Sequence, residues 1–403
     1  MEKYDIAIVG AGIAGTFAAL KAAESYKAKV ILFELGHKPG KRRRFLEGFL
    51  GCFPTGDGKI YTNNDQILEY VDGRTVKSAS NWVMKQFDSI IKNKIIKDKL
   101  PNSVVQKKLE SNNIEIKTND YIQWKPESIH LLSKMVTEII EESGNITFSF
   151  DNEVTRITKL KNGFTISTVG GEIFAKKVIL SVGRSGWRWV NTLYKDFGLT
   201  IKDDIASYGI YLECPANQLK ELNHSHCSLS REDFELGPFN WNGTIIPEDH
   251  ADLVIAGFRS NEERWRTDKV SFSLIGHRKI EDGKGVYQTD RLGKLSYLLF
   301  NDRIGKEKLK MLGKDSSPLS QLVEYEWLEG MIKELNDIFP NLISKASFHA
   351  PNILPLAAPI RIGPNLETEI EDMFVAGESG RFRGISAAAI SGTIAVENAC
   401  KGK

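Results

Sequence analysis

The chain has 403 residues, 41% of them hydrophobic and 26% charged, with a formal net charge of +2. This is a globular composition, too long for one small core, and its near-neutral balance argues against a nucleic acid or an anionic membrane as partner. Four scattered cysteines (Cys52, Cys214, Cys227, Cys400) exclude a disulfide framework and a C-x-x-C redox pair. No apolar run reaches membrane-spanning length, and the first strand begins at Tyr4, which is read as leaving no room for a leader peptide. A reducing cytoplasm is the expected location.

In chain order, the first element is an apolar strand over Ile6–Val9. The turn "GAGIAG" follows, and then an Ala-rich helix from Thr16 to Ser25. A second apolar strand, "KVILFE", ends in Glu34, nineteen residues after Gly15. Strand, glycine turn, helix, strand and terminal acid describe a dinucleotide-binding βαβ unit. Each glycine has its reason. Gly10 allows the tight turn, Gly12 lets a pyrophosphate approach the backbone, and Gly15 brings helix and strand together. The helix start offers unpaired N–H groups and a positive dipole end to phosphates, and Glu34 is placed to accept both ribose hydroxyls. An acid there disfavours a 2′-phosphate, which leaves NAD or FAD.

The segment "GHKPGKRRRFLEGFLGCFPTGDGKIYTNN" reads as a long functional loop. Residues 65–143 are expected to be mostly helical and Lys-rich, with Val83, Phe87, Ile90, Ile91 and Ile95 on roughly one helical face. That face is read as a core contact rather than a membrane or acidic-partner surface. From Asn145 short strands alternate with "KNG" and "VGG" turns and end in the buried strand Val178–Val182, then Gly183. Residues 190–345 mix strands and helices and read as a second domain. "DMFVAGESGRFRGISAAAISG" closes the chain with strand, glycine turn and helix. "NHSHC" (His224, His226, Cys227) lacks a second cluster to complete a metal site, so no metal is expected. Cys52 is read as an inert thiol.

An NAD-only dehydrogenase would finish its nucleotide fold early in the chain, whereas here the N-terminal unit is answered at the C-terminus. Together "IAIVGAGIAG", Glu34, "VILSVGRSG" and "MFVAGESGRFRGISAAAISG" resemble FAD-dependent oxidoreductases of the glutathione-reductase type. Within them, the order of "GDGKIY", "VGRSGWRW" and "NLETEIEDMFVAGESG" is most similar to a branch of FAD-dependent dehydrogenases. The resemblance implies an α/β architecture: a discontinuous Rossmann-like FAD-binding domain (1–64, 144–189 and 346–403) and a mixed α/β substrate domain (190–345), with the helical segment 65–143 inserted.

It also implies the cofactor contacts. Gly10, Gly12, Ile13, Ala14 and Gly15 would meet the pyrophosphate and Glu34 the adenosine ribose, with Arg42 and Arg43 reaching phosphate or ribose. Val154 matches the position whose backbone meets adenine, and Gly183 ends a strand beside the nucleotide. Gly377 and Glu378 would hold the ribityl–pyrophosphate part, although the family more usually carries Asp than Glu at the latter. Gly384, Ile385 and Ser386 start the closing helix, whose N–H groups would stabilise negative charge on a reduced flavin. Asp57, Lys59, His349 and Arg361 are further polar residues that could approach the ring, and sequence does not choose among them. The expected function is hydride transfer between FAD and a small organic substrate lying between the domains, with an external electron donor or acceptor, NAD(P)H among the candidates. A flavin-retaining binding protein, an NAD-dependent dehydrogenase and a flavoenzyme acting on tRNA are the alternatives.

Overall fold

The computed structural model describes every residue except 43, 251–252, 282, 323–324, 355–356 and 402–403. The chain has a mixed α/β fold and divides into two units. Unit 1 comprises residues 1–94, 122–202 and 356–403; unit 2 comprises 95–121 and 203–355. The segment 65–143, expected as one helical insertion, is therefore shared between the units, and residues 190–202 go with unit 1.

Unit 1 is built on a seven-stranded sheet. Strand Glu2–Val9 pairs in parallel with Val30–Phe33 on one side and Gly171–Leu180 on the other. Ile146–Ser149 extends the sheet beyond Val30–Phe33, and Met373–Val375 pairs in parallel with the end of Gly171–Leu180. Val154–Leu160 and Gly163–Thr168 complete it as antiparallel strands.

The central strands are apolar on both faces because both are covered. Ile6, Ile8 and Leu32 face one core together with Phe17, Leu20 and the closing helix Ile385–Cys400. Ala7, Val9, Ile31 and Phe33 face a second core with Val178, Leu180 and Tyr194. The opening helix Ile13–Ser25 and the closing helix touch through small residues: a Cβ on Gly392 would stand 2.0 Å from the Ala14 carbonyl oxygen. Fully burying Phe17 and Leu20 contributes about 1.5–3 kcal/mol each to that packing.

The helix Gly73–Ile90 starts at Asp72, whose carboxylate accepts the N–H groups of Arg74 and Thr75. Its apolar residues Val83 and Phe87 are fully buried in the first core, so the amphipathic face is spent internally. The helix stops at Ile90. Ile91 is extended yet still packs on the first core, whereas Ile95 is 45% exposed, so the helical stripe expected from the sequence ends at Ile90. No helix among the described residues is long and apolar enough to cross a membrane.

Unit 2 holds an eight-stranded sheet whose described pairings are antiparallel, with a separate hairpin, Thr244–His250 and Leu253–Arg259. Its long central strands, Ile205–Pro215 and Lys269–Lys279, pair along eleven residues. One face of them, carrying Tyr208, Ile210, Leu212, Val270, Phe272 and Leu274, packs on the unit's core.

Candidate nucleotide-binding site

Register builds the site. Val9 lies opposite both Phe33 and Leu180, and Leu180 opposite Val375, in strands that all run the same way. The residues that follow, Gly10, Glu34, Ser181 and Ala376, therefore form one row along the carboxyl edge of the sheet. That edge is where open α/β sheets bind ligands.

Gly10 has φ +100°, and a Cβ there would meet the Ser181 carbonyl oxygen at 2.8 Å. A Cβ on Gly15 would stand 1.9 Å from the Gly10 carbonyl oxygen, so this glycine lets the helix sit on the turn. Gly12 differs from both: a Cβ there would meet nothing within 4 Å. It caps the helix without a side-chain partner, so the space at the first helical turn is open to an incoming group. Ile13 and Ala14, the first helical residues, are buried.

The turn "GESG" docks onto the same place. A Cβ on Gly377 would come within 2.9 Å of the Ala14 Cβ and 3.8 Å of the Ala388 Cβ, so opening helix, turn and closing helix converge there. The Gly377 N–H donates to Ser391 Oγ at 2.9 Å. Gly384 takes φ +92° at the cap of the closing helix, is exposed, and leaves its Cβ position open. Ile385 is half-buried and Ser386 buried. Gly183, after the middle strand, is likewise exposed with an open Cβ position. Val154 begins its strand two residues after Asn152, whose N–H donates to the Glu34 carbonyl at 3.1 Å.

Three side chains behave differently from the sequence expectation or were not foreseen. Glu34 is buried, and its carboxylate already accepts the N–H groups of Ala11 (2.8 Å), Gly36 (2.8 Å) and Gly48 (2.9 Å). Of about four acceptor sites on a carboxylate, one remains for a ribose hydroxyl, not the pair expected. Arg42 is turned inward. Its guanidinium donates to the carbonyls of Phe45, Glu47, Phe49 and Gly51, so it ties the loop rather than reaching for phosphate. Burial pushes its pKa below the ordinary arginine value. Arg43 lies outside the described residues. Ser181, which no motif in the sequence marks, donates from Oγ toward the Val9 and Gly10 carbonyls (3.0 and 2.8 Å) and locks the glycine turn to the middle strand. A hydroxyl directly after the apolar run "VIL" was the signal for it.

Glu378 carries the strongest ligand signature. Its Oε1 lies 3.8 Å from Arg184 Nε, while its Oε2 is buried and has no hydrogen-bond donor. A buried carboxylate oxygen without a donor is costly unless a ligand supplies one. Open backbone at Gly12, Gly183 and Gly384, with this acceptor beside them, fits a dinucleotide with hydroxyls along its linker. Cys52, on the loop, has its Sγ 4.0 Å from Arg184 Nη2. Asp57 and Lys59 form an ion pair of 3.0 Å with each other. His224 packs on Trp241 and His226 on Tyr121 in unit 2, and His349 also lies there.

No family model matches the sequence. A curated relative, the ribosomal RNA dihydrouridine synthase of Escherichia coli (strain K12), is 23% identical over 191 residues. The match covers 45% of this chain and spans only 40% of that protein's length. Among solved structures, glycine oxidase from Geobacillus kaustophilus aligns with a TM-score of 0.44 at 13% identity, over 99% of this chain and 95% of that one. L-alpha-glycerophosphate oxidase from Mycoplasma pneumoniae with FAD bound gives 0.43 at 14%, over 99% and 95%. A flavoprotein/dehydrogenase from Cytophaga hutchinsonii gives 0.38 at 14%, over 99% and 76%. The glutathione-reductase subtype is not distinguished by these matches.

Proposed function

We propose that the protein is a flavoprotein oxidoreductase that holds FAD non-covalently along the carboxyl edge of the unit 1 sheet. The observation that carries this is Glu378 Oε2, a buried acceptor without a donor, set where two helix starts and a glycine turn converge. In this reading the N–H groups at Gly12–Gly15 take the pyrophosphate, the remaining acceptor site of Glu34 takes a ribose hydroxyl, and Glu378 takes a hydroxyl of the ribityl chain. Val154 and Gly183 border the nucleotide. The N–H groups of Ile385 and Ser386, freed by the helix start at Gly384, supply positive potential where charge gathers on reduction. Bound FAD supplies hydride chemistry; the protein orients it and tunes its potential. Arg42 acts through the loop it ties, and Arg184 positions Glu378.

The curated relative's name supports a second reading, in which the substrate is a base in RNA; the net charge of +2 gives it no electrostatic help. The test is anaerobic reduction of the purified yellow protein, followed by loss of flavin absorbance. NADH, NADPH and a panel of small organic acids, amines and alcohols are offered in turn, and RNA is offered to the reduced protein. Reduction by a donor and reoxidation by one substrate class support the oxidoreductase reading. A flavin that no donor reduces, yet dithionite does, points to a binding protein.

A further inference from the structure

The sheet of unit 2 has a second face. Strand alternation turns Tyr211 and Glu213 away from the apolar core that holds Tyr208, Ile210 and Leu212. Across the ladder, Tyr211 lies opposite Ser273 on one side and His349 on the other, and His349 lies opposite Lys306. In the next row Glu213 lies between Ser271 and Ser347, and Ser271 lies opposite Asn240. Two adjacent rows are thus polar nearly throughout. An antiparallel sheet commonly leaves its polar face in water, but this one does not: Glu213, Ser271, Ser347, His349 and Asn240 are all at most 7% exposed. On one side Tyr211 packs with Ala256 and Phe258 of the hairpin.

The charges are arranged around one oxygen. Glu213 Oε2 lies 3.0 Å from Lys269 Nζ and 3.1 Å from Lys306 Nζ, which keeps the two ammoniums within about 6 Å of each other. His349 Nε2 is 3.9 Å from the same oxygen, beyond hydrogen-bond reach, and is buried without a hydrogen-bond partner. Ser271 Oγ, fully buried in the neighbouring position, is also without one. Burial alone would raise the Glu213 carboxyl; the hydrogen-bonded ammoniums of Lys269 and Lys306 more than reverse this and hold it well below the ordinary carboxylate range. The group is therefore one fixed negative charge facing two positive ones, with a surplus of positive charge.

From this we infer that the polar face of the unit 2 sheet is a binding site for a small molecule bearing a carboxylate or phosphate group. Each ammonium has three N–H donors and gives one to Glu213, so the pair has four left to place on an oxyanion. Lys269 and Lys306 are 39% and 52% exposed, which makes their end of the face the entrance. His349 Nε2 and Ser271 Oγ lie inward of that entrance and meet a polar part of the same molecule. Charge balance alone would need one lysine for one carboxylate, and it gives no reason for two buried polar atoms with no partner beside it.

The site is tested on the full chain, with colourless probes that need no flavin, so its failure is separable from failure of the flavin reading. Inorganic phosphate and succinate are titrated separately by calorimetry at constant ionic strength, with chloride as the balancing anion. At least one is expected to bind saturably at one site per chain, in the millimolar range or tighter. Lys306→Gln should weaken that binding at least about tenfold, and Lys306→Arg should retain it within about threefold. Ser271→Ala should weaken the probe without lowering the melting temperature, because the hydroxyl it removes has no partner in the protein. If Lys306→Gln fails to fold, Lys269→Gln replaces it in the same comparison. Absence of saturable binding by either probe up to about 50 mM overturns the proposal. So does equal binding by wild type and the lysine-to-glutamine variant, which would place the probe elsewhere.

Discussion

Glu34→Ala is the most informative perturbation of unit 1, because the carboxylate ties three segments at once. It accepts the N–H of Ala11 from the glycine turn, of Gly36 just after its own strand, and of Gly48 from the arginine-rich loop. All three donors are buried. A hydrogen bond to a charged group is worth about 1.5–3 kcal/mol, and a buried donor left alone costs about 1–3 kcal/mol. The three losses are not additive, since water entering the vacated space re-satisfies some of them. We therefore expect about 3–5 kcal/mol of destabilisation, which lowers the melting temperature by on the order of 10 °C. FAD affinity should fall as well, because the loop and the last acceptor site are lost together. Calorimetric melting of the variant without added FAD measures the structural part, and FAD titration of the folded variant measures the binding part. A melting temperature within about 1 °C of wild type would refute the reasoning, since three buried donors would then have lost their acceptor at no cost.

Gly12→Val and Gly15→Val separate binding from folding. The first points a side chain into open space and should keep the melting temperature while abolishing FAD uptake; the second drives a Cβ into the Gly10 carbonyl and should fail to fold or melt far lower. Glu378→Ala removes the buried oxygen without a donor, so FAD affinity should drop about 10- to 100-fold while the FAD-free protein is as stable as wild type or more so, read by FAD titration and melting. Glu213 has a depressed carboxyl pKa, so the stability it contributes is complete above the ordinary carboxylate range and is lost as pH falls through the folded value. The stability gap between wild type and Glu213→Gln, followed by acid unfolding, should thus be widest near neutral pH and close only well below pH 4; a gap that widens on acidification contradicts the ion cluster.

How much of this was legible depended on distance along the chain. The glycine turn, its flanking strands and the terminal acid are local and periodic, and the sequence carried their identities in full. What it did not carry was register. Nothing in "VILSVG" tells which strand Leu180 pairs with, so the role of Ser181 in locking Gly10 emerged only from the sheet. Arg42 is expected at a phosphate or ribose because a basic run in a glycine loop looks available to an anion, whereas its guanidinium is taken up by backbone carbonyls. Its carbonyl partners lie only three to nine residues away, but they come together through backbone turns that have no periodic signature. Likewise the helix starting at Gly73 was visible, yet its end at Ile90 was not, because the β-branched residues beyond it continued the apolar spacing. The polar face of unit 2 was invisible for the same reason as the register: Glu213 meets Lys269 and Lys306 across 56 and 93 residues of sequence.

The central claim is that the carboxyl edge of the unit 1 sheet holds FAD, and the most direct measurement is the flavin content of the purified full chain. The purified chain is expected to show oxidised-flavin absorbance, about one FAD per chain after reconstitution, and release of intact FAD on denaturation. A colourless protein that takes up no FAD on titration, while binding NAD at the same glycine turn, would contradict it.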